Sequence, residues 1–433
     1  MSRFKMYKPI LFFIKNDFQF YIFIIFSILL PFSKQYLPLI TFAWVVSAIF
    51  SIRKVKRESF QNIILLAFPT IFYLIHILGL FYSENIGNGM FNLEKKLSIL
   101  FIPLVVIFIT EKIKLNYRII LKVFVLANFI AGIICLLYAF NNSIGVNELG
   151  ECYFESSYLP KFNERFRFIQ LINHRYSYFS YAFLSIFQHP SYFSTYILFS
   201  IIILIYLIRS SKKRQIGYYG LILYFTIFIW LLGSRAAYLT YLISLFSFFL
   251  ILILKYKKYW IAVTILGVGI LISIIAISNE QLNKNIKETI SFVDNKPLNK
   301  DSDIRLWLWK SGFEVLKDNL WFGVGIGDAD EKLKEKYIKY DLDVAQEHNY
   351  NVHNQYLDIA VKLGLVGFLV LTGWIIITLL ITIKRKQFLF FYFMLILSIN
   401  FFFEAMLNTI AGISFFVFFY SLLVTISIKK EKT

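Results

Sequence analysis

Apolar residues run along this chain in blocks of roughly 15 to 25 residues, separated by shorter polar segments. A helix of about 20 apolar residues is long enough to cross the hydrocarbon core of a bilayer. The pattern therefore predicts an all-α fold, a polytopic transmembrane helical bundle of about twelve spans. We expect these spans at about 19–32, 36–52, 62–82, 97–110, 119–140, 191–208, 216–232, 235–254, 259–278, 356–382, 388–403 and 409–427.

Charged residues divide the intervening segments into two alternating classes. Basic residues concentrate in every second segment, beginning with the N-terminus, and the short segments between them carry few. Because basic loops remain in the cytoplasm, we predict cytoplasmic termini and two long outer loops at about 141–190 and 279–355. The whole chain, 1–433, is expected to form a single integral membrane domain, whose larger outer loop carries amphipathic helices.

The composition agrees with this interpretation. Hydrophobic residues make up 58% of the 433 residues and charged residues 16%, whereas soluble domains carry about 25% charged residues. The net charge of +19 is mostly explained by cytoplasmic loops, so no nucleic-acid partner is expected.

One outer basic cluster, between Lys161 and Arg175, fits either an amphipathic helix on the lipid surface or a binding surface for an acidic or phosphorylated molecule.

The longest polar passage, 301–367, is where we expect any chemistry. A helix is predicted to begin near Arg305, with a capping residue among Asp301, Ser302 and Asp303. The Arg305 side chain either forms a local salt bridge to one of these acids or serves a site on the outer face.

A glycine-rich segment follows, from Gly323 to Asp328. It lacks the Lys-Ser/Thr pair of a phosphate-binding P-loop and the full dinucleotide spacing. We interpret it as a tight bend between two helices, with Asp328 capping a helix of about 329–340.

Four further polar residues are candidates on the outer face, three of them at the ends of spans and His348 in a more loop-like setting. Arg235 either reaches toward lipid headgroups or binds a diphosphate with its planar fork of donors. His353 is either a polar cap at the membrane interface or the candidate base, because a neutral imidazole accepts a proton from a sugar hydroxyl near pH 7. His348 is the alternative base. Glu404 is either a functional group or the ion-pair partner that holds an arginine in place.

His189, just before Pro190, and Asn354, just after the candidate base, are candidate supporting residues on the same face. No metal site is expected, because no tight group of His and acidic residues recurs at ligand spacing.

Several of these stretches together resemble the characteristic block of the O-antigen ligase and polymerase superfamily. The resemblance is close over about 301–367, and elsewhere it extends to the span count and topology. It rests on Arg305 with Trp309, Gly323-Val324-Gly325, His353-Asn354-Gln355-Tyr356-Leu357, Gly364-Leu365-Val366-Gly367 and Gly233-Ser234-Arg235, with His189-Pro190 and Glu404 to Gly412 in similar places.

The resemblance implies a metal-independent, inverting membrane glycosyltransferase without a cofactor, at the periplasmic face of the bacterial inner membrane. Its donor would be a glycan on undecaprenyl diphosphate. Its acceptor would be lipid A-core in a ligase, another lipid-linked repeat in a polymerase, or a protein hydroxyl in a third branch. It implies that Arg235 and Arg305 stabilise the leaving diphosphate and that His353 deprotonates the acceptor hydroxyl.

We rank O-antigen ligation first and polymerisation second, with two other classes still open. A lipid or solute transporter would need spans broken by polar residues, Gly or Pro near the midplane, and these spans are expected to be mostly unbroken. A structural membrane protein would not need Arg235, Arg305 and His353 on one face.

Overall fold

Helices account for most of the residues that the computed structural model describes, which are 19–49, 60–106, 111–146, 152–154, 178–211, 215–254, 267 and 304–426. Three predictions concern other residues. Outside the described part of the chain lie the span at 259–278, apart from residue 267, the basic cluster from Lys161 to Arg175 and the capping residues 301–303.

Nine helices are described before the large outer loop. They are α1 (Gln19–Phe32), α2 (Leu37–Ile49), α3 (Phe60–Phe81), α4 (Ile86–Val106), α5 (Glu111–Asn142), α6 (Tyr181–Leu184), α7 (Pro190–Arg209), α8 (Ile216–Leu232) and α9 (Arg235–Leu254). The described helices from that loop onward are α10 (Ile304–Asp318), α11 (Ala329–Lys339), α12 (Asp343–Glu347), α13 (Gln355–Lys384), α14 (Phe388–Asn400) and α15 (Ile410–Ile426), and a 3₁₀ turn (Met406–Asn408) precedes α15.

Two short strands accompany the helices and were not predicted. The strands β1 (Ile144–Val146) and β2 (Cys152–Phe154) pair antiparallel, with Gly145 opposite Tyr153. Three-residue strands leave no room for an alternating pattern, so hydrophobic periodicity does not reveal them.

Four of the described helices are long and apolar enough to cross a membrane. They contain the stretches Ile64–Phe81, Asn116–Asn142, Pro190–Arg209 and Gln355–Lys384. Shorter apolar helices occupy most other predicted spans within the described residues. The mostly helical, membrane-type architecture is therefore confirmed, and the count of twelve spans stays a prediction.

The helix that contains most of the predicted fourth span begins earlier than that span. Helix α4 begins at Ile86, well before position 97, because its first turns bond to the glycine-rich segment. The Asn88 Nδ2 group donates to the Gly327 carbonyl at 2.7 Å, and the Asn92 Nδ2 group donates to the Ile326 carbonyl at 3.0 Å. Hydropathy alone misses these turns, since their polar residues are helical through tertiary contacts.

Helix α15 lies at the centre of the bundle. It packs against α2, α3, α4 and α14, and its side chains are buried around the whole circumference, including Phe415, Phe416 and Phe419. A helix that is hydrophobic all round belongs in an interior. The 3₁₀ turn that leads into α15 is also buried, at Met406 and Leu407.

Helix α13 is broken in its N-terminal third. Gly364 has a φ of 64° and a ψ of −160°, a conformation that only glycine adopts readily. The expectation that the spans are mostly unbroken is therefore wrong for α13. Its first part, before the break, follows directly after His353.

The glycine-rich segment fills this break. Its backbone donates two hydrogen bonds to α13, from Val324 N–H to the Val361 carbonyl (2.9 Å) and from Gly325 N–H to the Lys362 carbonyl (3.0 Å). Just before the segment, the Leu320 carbonyl accepts from Leu365 N–H at 2.8 Å. A Cβ at Gly323, whose φ is 70°, would lie 2.6 Å from the Gly364 nitrogen. The segment is thus the predicted bend between two helices, and its glycines allow two backbones to meet and satisfy the groups that the break exposes.

Asp328 is the N-cap residue of α11, as predicted, but its side chain makes no capping hydrogen bond. Its carboxylate accepts hydrogen bonds from the Glu84 and Asn85 backbone N–H groups, at 2.8 and 2.7 Å. Asp328 therefore ties the glycine-rich segment to the turn between α3 and α4. A short carboxylate satisfies whichever N–H groups the fold brings near it.

Candidate active site

Glu404 is the carboxylate around which the candidate site is built. It lies in the turn after α14, where its N–H group donates to the Asn400 carbonyl at 3.0 Å, and only 3% of its surface is exposed. A buried carboxylate is costly unless cations and donors surround it.

Three side chains bind the two oxygens of this carboxylate. Arg305 Nη2 lies 2.9 Å from Oε1, Ser191 Oγ donates to Oε1 at 3.1 Å, and His353 Nδ1 lies 3.1 Å from Oε2. We call Glu404, Arg305, His353 and Ser191 the arginine–histidine cluster. It brings together Arg305, His353 and Glu404, which are far apart in the sequence, and it includes the arginine partner proposed for Glu404.

Each partner comes from the beginning of a helix. Arg305 is the second residue of α10, Ser191 is the second residue of α7, and His353 lies two residues before α13. Helix N-termini carry partial positive charge, so three such ends face one carboxylate. The side chains of Arg305 and His353 remain 21% and 24% exposed, and the cluster can therefore contact a ligand in solution or at the membrane surface.

The backbone around His353 is held in a defined conformation. His353 has a φ of 47°, which is uncommon for a residue with a side chain. Its N–H group donates to Asn351 Oδ1 at 2.8 Å, and the Asn354 side chain caps α13 by accepting from Tyr356 and Leu357 N–H at 3.0 and 3.1 Å. Asn354 supports the site as a helix cap.

The surroundings of Glu404 keep it ionised. Burial by itself raises the pKa of this carboxyl, but the hydrogen bond from His353 and the charge of Arg305 outweigh burial and lower the pKa to about 2. An ionised carboxylate only accepts hydrogen bonds. In the neutral imidazole, Nδ1 must therefore carry the proton, and Nε2 presents the lone pair.

The two other candidate histidines differ in their relation to this cluster. His189 precedes α7 and interacts electrostatically with Glu404, His353 and Arg305, so it belongs to the same neighbourhood. His348 is exposed and stacks on Tyr350, with ring centroids 5.8 Å apart. Of the two predicted bases, His353 is the one that binds Glu404.

The backbone of Arg235 begins α9, and its side chain lies outside the described part of the molecule. One turn further along α9, Thr240 Oγ1 accepts a hydrogen bond from Asn400 Nδ2 at 3.2 Å. The beginning of α9 is thus close to the turn that carries Glu404. Binding of a diphosphate by Arg235 stays a prediction.

A second polar cluster lies next to the first, on the same turn. Asn408 Oδ1 accepts from Lys362 Nζ at 3.1 Å and from Lys96 Nζ at 3.3 Å. Lys362 also pairs with both oxygens of Asp358, at 3.0 and 2.9 Å. We call these four residues the lysine cluster. Lys96 and Lys362 are 1% and 4% exposed, so this cluster is enclosed by protein.

Sequence reasoning missed Ser191 and the lysine cluster. One usable signal was the spacing of Asp358 and Lys362, an acid and a base four residues apart within a predicted span, where ionisable residues are rare. Another was the basic charge at Lys96 in an outer segment that the topology predicts to be poor in lysine. Ser191 has no distinguishing pattern.

The described residues contain no group of three or more His, Cys, Asp or Glu side chains that could hold a metal ion. Comparison with protein families then identifies the part of the chain that carries Arg305 and His353. Residues 219–372 match the family model of O-antigen ligase. The resemblance predicted from the motifs is confirmed over these residues.

The O-antigen ligase match begins within α8, ends within α13, and includes Arg235, Arg305 and His353. Glu404 and Ser191 lie outside the matched residues. The match supports a membrane enzyme of the O-antigen ligase and polymerase type that acts on glycans. No curated protein matches the chain.

Proposed function

We propose that this chain is a membrane glycosyltransferase that moves a glycan from undecaprenyl diphosphate to an acceptor hydroxyl, most specifically an O-antigen ligase that uses lipid A-core. The observation that carries the proposal is the Glu404 carboxylate, which holds Arg305 and His353 on its two oxygens. The Arg305 guanidinium can bind the diphosphate of the donor, and the His353 imidazole can accept the proton of the acceptor hydroxyl. Glycan transfer between these two substrates needs both groups.

His353 acts as the base. Because Nδ1–H is engaged by Glu404, Nε2 is the nitrogen that accepts the proton of the acceptor hydroxyl. The imidazolium that forms is stabilised by the adjacent carboxylate, which remains ionised. Glu404 therefore both fixes the tautomer and offsets the developing charge.

Arg305 stabilises the leaving group, and Arg235 is proposed to act with it. As the bond between the anomeric carbon and the phosphate oxygen breaks, its electron pair stays on that oxygen, and negative charge grows on the diphosphate. A guanidinium offers paired donors to phosphate oxygens, and the N-terminal ends of α7, α10 and α13 add positive potential. No step requires a metal ion or a cofactor.

The arrangement favours direct displacement with inversion at the anomeric carbon. A retaining route needs a carboxylate that attacks the sugar. Glu404 is 3% exposed and already accepts from three side chains, so it is a poor nucleophile. The acceptor oxygen attacks as its proton moves to His353, and the diphosphate departs in the same step.

The transporter alternative loses its main structural support in α13. A broken span is typical of transporter binding sites, but the backbone of the glycine-rich segment fills the break at Gly364 and donates to the Val361 and Lys362 carbonyls. We therefore place the function at the outer end of the bundle. This proposal includes a multi-pass protein of the bacterial inner membrane, with cytoplasmic termini and a periplasmic site.

The test is a surface-glycan gel from a deletion strain that expresses the wild type, His353→Gln, Arg305→Gln or Lys332→Gln. Lys332 is a matched exposed cation on α11 that pairs with Glu335. We expect loss of long glycan on lipid A-core, with lipid-linked polymer accumulating, in the deletion strain and with the first two variants. Lys332→Gln should restore the wild-type profile.

Other profiles would contradict the proposal at different levels. A single repeat that remains attached to the core would replace ligation by polymerisation. An unchanged lipid profile with glycan lost from proteins would indicate a protein acceptor. Full restoration by His353→Gln at equal expression would remove the base and with it the proposed mechanism.

A further inference from the structure

The segment 348–353 presents three aromatic rings in a row. The His348 and Tyr350 rings stack with centroids 5.8 Å apart and planes 21° apart. The Tyr350 and His353 rings are perpendicular, with centroids 5.6 Å apart. The row therefore runs from exposed His348 to the ring that we propose as the base.

The backbone holds these rings firmly in place. Asn349 and His353 both have left-handed φ values, 46° and 47°, which persist only where neighbouring contacts fix them. The Tyr350 N–H group donates to the Ala345 carbonyl at 3.0 Å, and its carbonyl accepts from the Tyr337 hydroxyl at 3.0 Å. Tyr350 is thus a half-buried ring on a rigid support.

From this geometry we propose that Tyr350, backed by His348, forms the subsite that receives the acceptor sugar. The inference rests on the proposed function. A pyranose ring presents a face of C–H groups, and a rigid aromatic ring binds such an apolar face at little conformational cost. The surrounding hydroxyl groups of the sugar remain hydrated.

Because Tyr350 lies next to the proposed base, its ring contacts the acceptor sugar and not the donor sugar. The hydroxyl that loses its proton must lie within about 2.6–3.2 Å of His353 Nε2, so its own ring lies against the neighbours of His353. The donor is instead held by its diphosphate at Arg305, on the other oxygen of Glu404. Tyr350 is therefore a specificity-determining residue, and its ring takes no part in proton transfer.

The experiment uses purified full-length protein in lipid nanodiscs, with undecaprenyl-diphosphate-linked glycan as donor and core lipopolysaccharide as acceptor. Initial rates are measured with each substrate varied in turn, and release of free glycan to water is measured without acceptor. The variants are Tyr350→Leu, Tyr350→Phe and His348→Leu. Tyr219→Leu is the control, since Tyr219 is an exposed tyrosine on α8.

We expect Tyr350→Leu to raise the KM for the acceptor about tenfold, as loss of an aromatic contact does, with kcat, donor KM and glycan release within about twofold of wild type. Tyr350→Phe should resemble wild type because it keeps the ring. His348→Leu should give a smaller rise, and Tyr219→Leu should give none.

A rise in the donor KM, an equal fall in glycan release, or an unchanged acceptor KM in Tyr350→Leu would overturn the inference. A general structural defect would lower glycan release together with transfer, which separates it from loss of a subsite. A wild-type protein that shows neither transfer nor glycan release would overturn the proposed function itself.

Discussion

The arginine–histidine cluster and the lysine cluster are built alike but differ in access. In each, one oxygen-bearing side chain on the turn between α14 and α15 joins two nitrogen-bearing side chains from other helices. Arg305 and His353 remain 21% and 24% exposed, whereas Lys96 and Lys362 are 1% and 4% exposed. Similar polar groups are thus accessible in one cluster, where we propose a substrate site, and enclosed by protein in the other.

Burial decides this division of roles. A cation that keeps part of its surface open binds a ligand by replacing water, while an enclosed cation is satisfied only by the protein. The two clusters also share a turn, since Glu404 and Asn408 are four residues apart. We infer that the lysine cluster fixes the turn and that the fixed turn positions the Glu404 carboxylate.

The largest expected effect is on stability, from Lys362→Met. The change leaves the buried Asp358 carboxylate without its closest partner, and loss of one member of a buried pair costs about 3–5 kcal/mol. The thermal unfolding midpoint in detergent and the folded yield should both fall sharply. Asp358→Leu with Lys362→Met should recover most of the loss, because no isolated charge remains. Unchanged stability with lost transfer would instead place Lys362 at the substrate.

The next largest effect is on catalysis, from Glu404→Gln. The amide keeps the shape of the side chain but removes the charge that orients His353 and stabilises its protonated form. The rate of glycan transfer should fall about 100-fold, within the range for general-base assistance, with a normal folded yield. A transfer rate within threefold of wild type would show that Glu404 is an ordinary buried acceptor.

The sequence predicted the features that depend on neighbouring residues along the chain, and it did not predict those that depend on contacts between distant residues. Apolar blocks mark helices locally, so the observed α7, α8 and α9 agree with their predicted spans within a residue or so. Glu404 was recognisable because ionisable residues at membrane depth are rare, and Arg305 and His353 stood out within the long polar passage 301–367. Their joining at one carboxylate, however, depends on packing between α7, α10, α13 and α14, and that packing leaves no local pattern.

The break in α13 shows the same limit from another side. Gly364 and the glycine-rich segment were both visible in the sequence as separate features. The glycine-rich segment fills the break at Gly364 because backbone hydrogen bonds join residues 320–325 to residues 361–365, and the sequence does not show these bonds. Asp328 was assigned to the nearest helix end, because a capping rule considers only neighbours along the chain.

A smaller effect is expected from Asn408→Ala, which removes the oxygen shared by Lys96 and Lys362. An unsatisfied buried donor costs about 1–3 kcal/mol, so the unfolding midpoint should fall less than in Lys362→Met. Transfer should fall a few-fold, because the turn that carries Glu404 loosens. Asn408→Asp keeps the acceptor and should retain both properties. A loss of transfer in Asn408→Ala as large as that of Glu404→Gln, at full stability, would contradict the separation of roles.

The smallest effect is the dependence of stability on acid. Because the folded pKa of Glu404, about 2, lies below its ordinary value of 4.5, its stabilisation is complete above pH 4.5 and is lost as the pH falls toward 2. At pH 4 the unfolded carboxyl is mostly protonated while the folded one stays ionised, so wild type should lose about 1 kcal/mol relative to Glu404→Gln. Unfolding midpoints of both proteins between pH 7 and pH 4 measure this difference. A constant difference over that range would mean that Arg305 and His353 leave Glu404 with an ordinary pKa, and the arginine–histidine cluster would then be weaker than its geometry indicates.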